Sequence, residues 1–301
     1  MPALIQALRP NQWIKNLSVF AAVILTGQLF NSSAFYPSLV AFVGFCLLSS
    51  SSYLVNDLVD IDKDRLHPVK KNRPLARGAI TKKTAIMTAV ILFLVGLFFA
   101  SRVNSTFLSL AIIFIFLQYS YSFFIKKKAI LDIMGIALFF IIRTYAGEIA
   151  SGYHLPVWIM LTVIFLSLFI ASGKRRSELY RSGRSTRKAL EGYNKSLLNF
   201  YTTIFAVCTL ICYAMFTFLA EPVSFGGVIH EFLIENYPAA LDRKWWMVTL
   251  IPTIFGIMRY GQIIFEMQEG ERPERVVATD IPLLASIILW GLMIITIIYV
   301  L

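Results

Sequence analysis

Apolar residues in this chain of 301 amino acids gather in long blocks separated by short polar segments. Each block is about 17–25 residues long, the length with which an α-helix crosses the hydrocarbon core of a bilayer. Hydrophobic residues make up 57% of the chain and charged residues 15%, whereas a soluble domain has about 45–50% and about 25%. The sequence therefore predicts a polytopic membrane protein, and it excludes a soluble enzyme or a nucleic-acid-binding domain.

Hydropathy predicts an all-α bundle of about nine transmembrane helices in a single domain over residues 1–301. The predicted spans lie near residues 14–30, 35–55, 82–100, 105–125, 129–150, 155–172, 195–220, 245–265 and 281–300. Of the 28 lysines and arginines, 23 lie before span 1 or in every second loop, and the opposite loops hold three. Because cytoplasmic loops are enriched in these residues, we predict a cytoplasmic N-terminus, with the long loops near 56–81 and 173–194 also facing the cytoplasm.

A run of carboxylates follows span 2. Asp57, Asp60, Asp64 and Asn56 share an arc of about 100° on a helix, whereas Asp62 points away. Three carboxylates on one face repel one another unless a positive charge lies among them. Mg²⁺ suits this place because it prefers oxygen ligands and completes its shell with water and phosphates. The alternative is a solvated helix end whose acids pair with nearby cations: Lys63, Arg65, Lys70 and Lys71.

Cations and intramembrane charges supply further candidates. Arg73 and Arg77 lie in a bent stretch that ends in glycine; guanidinium groups bind phosphate bidentately, although topology alone also favours positive charge here. Asp132 and Arg143 lie about 16 Å apart along span 5, so each faces a ligand or another helix. After span 6 comes a charged run that suits an anionic substrate or, again, topology: Lys174, Arg175, Arg176 and Glu178.

Several motifs resemble those of the UbiA-type intramembrane prenyltransferase superfamily. Residues 56–64 read Asn-Asp-x-x-Asp-x-x-x-Asp, and Tyr121-Ser122-x-x-x-Lys126 is similar to the superfamily's tyrosine–lysine motif. Ordinary members carry a second Asp-x-x-x-Asp motif after span 6, where this chain has Lys-Arg-Arg-Ser-Glu at 174–178. That replacement resembles the decaprenyl-phosphate phosphoribosyltransferase branch, as do residues 8–16, Arg259-Tyr260 and Asp280-x-Pro282.

The resemblance implies transfer of the 5-phosphoribosyl group from phosphoribosyl pyrophosphate (PRPP) to a polyprenyl monophosphate, with Mg²⁺ as cofactor. It implies a multi-pass protein of a bacterial cytoplasmic membrane, and is compatible with a homo-oligomer. Asp57, Asp60 and Asp64 are the implied metal ligands and catalytic residues, together with Tyr121 and Lys126. The implied substrate-binding residues are Lys15, Asn56, Arg73, Arg77, Ser122, Asp132, Arg143, Lys174, Arg175, Arg176, Glu178, Arg259 and Asp280.

Three alternatives remain open at this point. Asp280 precedes the last span, where an aspartate is also a common helix cap. An aromatic prenyltransferase with a prenyl diphosphate donor would predict a second acidic motif. A transporter would predict polar residues near mid-span and broken helices, whereas most charges here gather at the predicted cytoplasmic ends.

Overall fold

The computed structural model of the protein describes residues 2–66, 70–182 and 188–301. Residues 67–69 and 183–187, which belong to the two predicted cytoplasmic loops, lie outside the described residues. The described part contains thirteen α-helices together with several 3-10 helices and one π-helical turn, and no strand occurs in it. The all-α prediction is therefore confirmed.

Within these described ranges, eight helical segments are long and apolar enough to cross a bilayer. They are Ser32–Val59, Lys82–Val103, Ser105–Lys127, Leu131–Ser151, Val157–Arg181, Lys195–Leu219, Trp245–Met267 and Ile281–Tyr299. Large apolar side chains are exposed along them, including Phe98, Phe116, Met258 and Leu292. Lipid tails are as apolar as these side chains, so a bilayer covers them without cost. The chain is a multi-pass membrane protein.

The first predicted span, residues 14–30, has a different form. Pro10–Phe20 is a 3-10 helix that continues directly into helix α2 (Ala21–Leu25). Its eleven residues rise about 22 Å, at about 2.0 Å per residue. That length is most of the hydrocarbon core, which is about 30 Å thick, although the segment is not a transmembrane α-helix. The count of nine spans and the cytoplasmic N-terminus stay predictions.

Two helix ends differ from the predicted boundaries. Helix α8 (Val157–Ser182) runs well past the predicted end of span 6, so positions 174–178 lie in a helix. Lys, Arg and Glu are good helix formers, so nothing in that charged run stops the helix. The acidic run is interrupted instead: α3 (Ser32–Val59) ends before Asp60, and α4 (Ile61–Leu66) starts after it.

The chain divides into two compact units. Unit 1 comprises Met1–Val23, Leu29–Lys126 and Ile142–Tyr153, and unit 2 comprises Ile24–Gln28, Lys127–Ile141 and His154–Leu301. A single domain over residues 1–301 stays a prediction.

In unit 1, α3 packs against α5 (Lys82–Val103) through small residues. A β-carbon on Gly96 would lie 2.8 Å from the side chain of Leu48, so the glycine is what permits this close approach. Farther along α3, Leu54 packs with Leu75 and with Ala7 of helix α1 (Ala3–Leu8). This cluster fixes the end of α3 that carries the acids.

In unit 2, α8 packs against α9 (Lys195–Leu219), and α11 (Leu250–Gln262) packs against α13 (Ile281–Tyr299). Gly173 lies against Ile264 in the π-helical turn that follows α11; a β-carbon there would be 2.4 Å from the isoleucine side chain. The backbone N–H of Gly270 also donates to Ser177 Oγ at 3.1 Å. These contacts hold the charged end of α8 against the 263–270 segment.

Candidate functional site

The carboxylates of unit 1 lie around the break between α3 and α4. Asp57 is in the last turn of α3, Asp60 caps that helix with φ −95° and ψ 7°, and Asp64 is in α4. Asp57 and Asp64 are buried, whereas the side chain of Asp62 is 85% exposed. Of the two acids in α4, Asp62 is therefore solvated and Asp64 is buried.

Arg73 joins two of these carboxylates. One guanidinium nitrogen, Nη1, lies 3.1 Å from Asp57 Oδ1 and 2.6 Å from Asp64 Oδ2. Arg73 comes from the segment after α4, which packs under α3 through Leu75. A single positively charged group thus bridges two carboxylates on successive helices.

Two further cations complete this cluster. Lys126 Nζ lies 3.1 Å from Asp60 Oδ2 and 3.4 Å from Asn56 Oδ1. Arg9, which precedes the 3-10 helix, pairs with Asp57. We call Asp57, Asp60, Asp64 and their cations Arg9, Arg73 and Lys126 the acid cluster. Its three negative and three positive charges balance.

The solvated-helix alternative receives little support from this geometry. Among the described residues, Arg65 pairs with Asp62 at 3.7 Å, and Asp57, Asp60 and Asp64 pair with cations from other elements. The acids of the cluster are therefore organised by tertiary structure and not by their sequence neighbours.

The residues fit a divalent cation that shares its ligands with a phosphate. Over the described residues, no three His, Cys, Asp or Glu side chains converge to enclose a metal ion. Mg²⁺ needs only one or two carboxylates and takes its remaining ligands from water and phosphate oxygens. The position of Arg73 Nη1 shows that positive charge is accommodated between Asp57 and Asp64. These two carboxylates could hold the ion, with Asp60 nearby.

Four other predicted site residues belong to unit 1. Arg77 donates to Gln6 Oε1 at 3.0 Å, and Lys15 donates to Gln12. Tyr121 and Ser122 are half-buried in the last turn of α6 (Ser105–Phe123), close in sequence to Lys126. Their roles in binding substrate stay predictions.

Arg143 is buried within unit 1. Its Nε donates to Asn16 Oδ1 at 2.6 Å, and its guanidinium lies 4.9 Å from the ring centroid of Phe114. Asn16 in turn donates to Cys46 Sγ at 3.2 Å. Arg143 of α7 (Leu131–Ser151) therefore faces the 3-10 helix, one of the two outcomes that the sequence left open.

Asp132 faces another helix in unit 2. Its Oδ2 lies 2.7 Å from Arg175 Nε, and the two side chains are 0% and 1% exposed. The angle between these groups is not that of a hydrogen bond, so the contact is a buried ion pair. Arg175 also pairs with Glu178 one turn farther along α8.

Tyr193 completes this network, which we call the buried cluster (Asp132, Arg175, Glu178 and Tyr193). Its hydroxyl donates to Asp132 Oδ1 at 2.7 Å and accepts from the backbone N–H of Ile130 at 2.6 Å. Burial, followed by the bond to Asp132 and its negative charge, raises the pKa of the Tyr193 phenol above its ordinary value. The phenol therefore stays neutral and able to donate.

Arg176 is also held by protein groups. Its Nε donates to Asn199 Oδ1 and its Nη1 to the carbonyl of Ile264, each at 2.7 Å. The guanidinium lies 4.3 Å and 4.1 Å from the ring centroids of Tyr180 and Phe265. Lys174, in the same helix, is half-buried. Phosphate binding by these cations stays a prediction.

Asp280 acts as a helix cap in a bidentate ion pair. Its Oδ1 accepts from the backbone N–H of Leu283 at 3.0 Å, at the start of α13. Arg259 donates to both carboxylate oxygens, at 3.1 Å and 2.7 Å. The hydrogen bond from Arg259, assisted by the one from Leu283, lowers the pKa of Asp280.

Sequence reasoning missed several partners. Arg9 and Asn16 were part of the motif at residues 8–16 but had no assigned role, and no pattern in the sequence pointed to Tyr193 or Asn199. Arg9 is 48 positions from Asp57, and Tyr193 is 61 positions from Asp132. For Arg9 and Asn16 the available signal was the resemblance of residues 8–16 to a family motif, whereas Tyr193 and Asn199 had none.

Comparison with known proteins gives concordant matches. The model of the UbiA prenyltransferase family matches residues 17–276. Decaprenyl-phosphate phosphoribosyltransferase of Mycolicibacterium smegmatis is 35% identical, over 95% of this chain and 89% of its own length. The enzyme of the same name from Corynebacterium glutamicum is 32% identical, over 99% of this chain and 87% of its own.

The fold has solved counterparts. A UbiA homolog from Archaeoglobus fulgidus bound to GPP and Mg²⁺ matches with a TM-score of 0.67 at 19% identity, over 97% of this chain and 96% of that one. The region that the family model matches, residues 17–276, includes the acids of unit 1 and the charged end of α8 in unit 2. With the family model spanning most of the sequence, and two relatives above 30% identity along nearly all of it, this chain belongs to the UbiA prenyltransferase family.

Proposed function

We propose that this protein transfers the 5-phosphoribosyl group of PRPP to a polyprenyl monophosphate and releases pyrophosphate. The observation that carries the proposal is the similarity to two decaprenyl-phosphate phosphoribosyltransferases along almost the whole chain. The charged run at 174–178 supports it, because a second pair of metal-binding acids is replaced there by three cations and one acid.

In this proposal Asp57, Asp60 and Asp64, assisted by Asn56, would hold Mg²⁺ for the diphosphate of the donor. When bound, the ion would supply a Lewis acid to neutralise the charge developing on the leaving group. Arg73 and Lys126 already lie against these acids, within reach of a phosphate that binds there. Tyr121 orients the donor, and Arg77, Lys15 and Ser122 provide further polar groups that contact the substrate.

The acceptor needs no general base. A phosphate monoester is already ionised at neutral pH, so its oxygen can attack the ribose carbon as pyrophosphate leaves, with inversion at that carbon. Catalysis then consists of positioning and electrostatic stabilisation.

In unit 2, we assign Lys174 to direct phosphate binding, because it is partly exposed whereas Arg175 and Arg176 are buried. Arg175 and Arg176 serve substrate binding by fixing the charged end of α8 through their contacts with other protein groups. Asp132, Glu178, Arg143, Arg259 and Asp280 support substrate binding in the same indirect way.

We place the reaction at the cytoplasmic face of a bacterial inner membrane. PRPP is a charged, water-soluble donor, and the basic segments follow the distribution typical of cytoplasmic loops. The prenyl tail would lie in lipid or in an apolar groove open to lipid. Self-association is compatible with this arrangement.

The test uses the full chain in detergent with Mg²⁺, radiolabelled PRPP and a polyprenyl monophosphate. We expect label to enter the organic phase, and EDTA to abolish the transfer. Turnover of a prenyl diphosphate with a phenolic acceptor, without label transfer from PRPP, would instead identify an aromatic prenyltransferase.

A further inference from the structure

Arg9 has an unusual backbone and a specific set of contacts. Its φ of 53° and ψ of 56° lie in the left-handed region, which a non-glycine residue occupies only when the surrounding structure holds it there. The guanidinium lies 5.1 Å from the ring centroid of Tyr53 and pairs with Asp57. The side chain of Asp57 is 3% exposed and that of Arg9 is 25% exposed. Arg9 therefore has one side on the acid and another open to a ligand.

A metal ion on Asp57 has to compete with cations that are already there. Arg9 and Arg73 both donate to the same oxygen, Asp57 Oδ1. Adding a divalent ion to a cluster whose charges balance leaves an excess of two positive charges. A guanidinium displaced from a buried carboxylate also loses a charge-assisted hydrogen bond, so an ion arriving alone is disfavoured.

A diphosphate removes both costs. It supplies negative charge that balances the ion, and its oxygens match the fork of N–H groups on a guanidinium. We propose that Arg9 exchanges partners: it neutralises Asp57 until the donor arrives, and it binds the donor's diphosphate when the metal ion takes Asp57. Metal and diphosphate then bind together. This rests on the proposed function, which makes Asp57 a metal ligand and the diphosphate the leaving group.

The exchange predicts effects of opposite sign in Arg9→Gln. Calorimetric titration of the detergent-purified full chain would measure the affinity for Mg²⁺ with MgCl₂ alone. A second titration would measure the affinity for inorganic pyrophosphate at saturating Mg²⁺. Mg²⁺ alone should bind at least about 5-fold more tightly, because one competing cation is gone. Pyrophosphate should bind about 10- to 100-fold more weakly, because a charge-assisted bidentate contact is lost.

Lys63→Gln is the matched control. It removes the same charge from an exposed side chain of α4, where salt screens that charge. Neither affinity should change. Arg9→Lys keeps a positive charge on Asp57, so it remains testable even where Arg9→Gln fails to fold. It should leave Mg²⁺ affinity near that of the unaltered protein and weaken pyrophosphate by a smaller factor.

Two outcomes would overturn the exchange while leaving the proposed function intact. If both affinities fall in Arg9→Gln, Arg9 only supports the fold around Asp57. If Mg²⁺ tightens while pyrophosphate is unaffected, Arg9 only neutralises the acid. An unaltered protein with no metal-dependent pyrophosphate binding would overturn the proposed function itself, and the exchange with it.

Discussion

The acid cluster of unit 1 and the buried cluster of unit 2 both join carboxylates to cations, but they differ in access. Arg9 and Arg73 are each a quarter exposed, whereas Arg175 and Asp132 are almost wholly inaccessible. A partly solvated guanidinium that leaves one anion for another keeps some of its charge in contact with water throughout. Breaking a buried pair strands a charge away from water. The first arrangement suits ligand binding and the second suits the positioning of helices.

The largest effect that distinguishes the clusters should come from Asp60→Ala. If the acids of unit 1 hold the metal ion, this change should lower turnover by more than about 10³-fold, since charge on the leaving group is no longer balanced. Asp60 caps α3 and is partly exposed, so the protein should still fold. The measurement is label transfer from PRPP, beside size-exclusion behaviour in detergent.

Asp62→Ala is the matched control for this change. It removes the same group two positions away, from a side chain that is 85% exposed. Activity should be retained. Equal losses in both variants, or full activity in Asp60→Ala, would remove the metal assignment from the acid cluster.

A large loss of stability is expected from Asp132→Asn in the buried cluster. The substitution keeps the shape of the side chain and leaves the charge of Arg175 without its partner on α7. Loss of one member of a buried pair costs about 3–5 kcal/mol. The free energy of unfolding in detergent should fall by that order, and surviving folded protein should keep its affinity for Mg²⁺ and pyrophosphate.

The double variant Asp132→Leu, Arg175→Met sharpens this result. Replacing a buried pair with apolar groups of similar size is often neutral or stabilising, so stability should recover in part relative to Asp132→Asn. The recovery is reduced by the lost bond from Tyr193, whereas Glu178 is 16% exposed and can be solvated. A variant at Asp132 that keeps its stability but loses pyrophosphate binding would instead place the buried cluster among the ligand-binding groups.

A smaller loss of stability should follow Tyr193→Phe. The change removes one donor to Asp132 and the acceptor for the Ile130 N–H, and a buried group left without its partner costs about 1–3 kcal/mol. Urea or thermal unfolding would measure the difference. Tyr201→Phe, in a half-buried tyrosine packed against the same hydrophobic residues, is the control and should change stability less.

Sequence predicted most of the fold because length and apolarity alone define a transmembrane helix. The 3-10 form of Pro10–Phe20 was not predicted, because its apolar residues have the composition of an α-helical span. Hydropathy does not distinguish a helix of three residues per turn from one of 3.6. The continuation of α8 to Ser182 was not predicted, because the charged residues were taken to end the span. Lys, Arg and Glu nevertheless continue a helix readily.

The site was less predictable than the fold. Asp57, Asp60 and Asp64 could be grouped because they are close in sequence and share a helical face. Their cations come from three separate segments, so that Arg9 meets Asp57 only after α1 and α3 have packed. The hydroxyl of Tyr193 binds Asp132 and also the backbone N–H of Ile130, whose φ is +66°. Isoleucine rarely adopts this conformation, so the sequence did not predict the turn.

The smallest effect concerns the ion pair of Arg259 and Asp280, which is accessible like the acid cluster but caps a helix like a structural contact. Because Arg259 lowers the pKa of Asp280, the pair stabilises the fold at pH values above the ordinary aspartate pKa of about 3.9. That contribution is lost as the pH falls through the lowered pKa of the folded state. Arg259→Gln should therefore lower the midpoint temperature of thermal unfolding slightly at pH 7. The difference from the unaltered protein should shrink toward pH 3.

The control is made in an Asp280→Asn background. Asparagine can still cap α13 but carries no charge, so adding Arg259→Gln to it should have an effect that does not vary with pH. A constant difference across pH in the single Arg259→Gln variant would show that the arginine acts through packing and not through the ion pair.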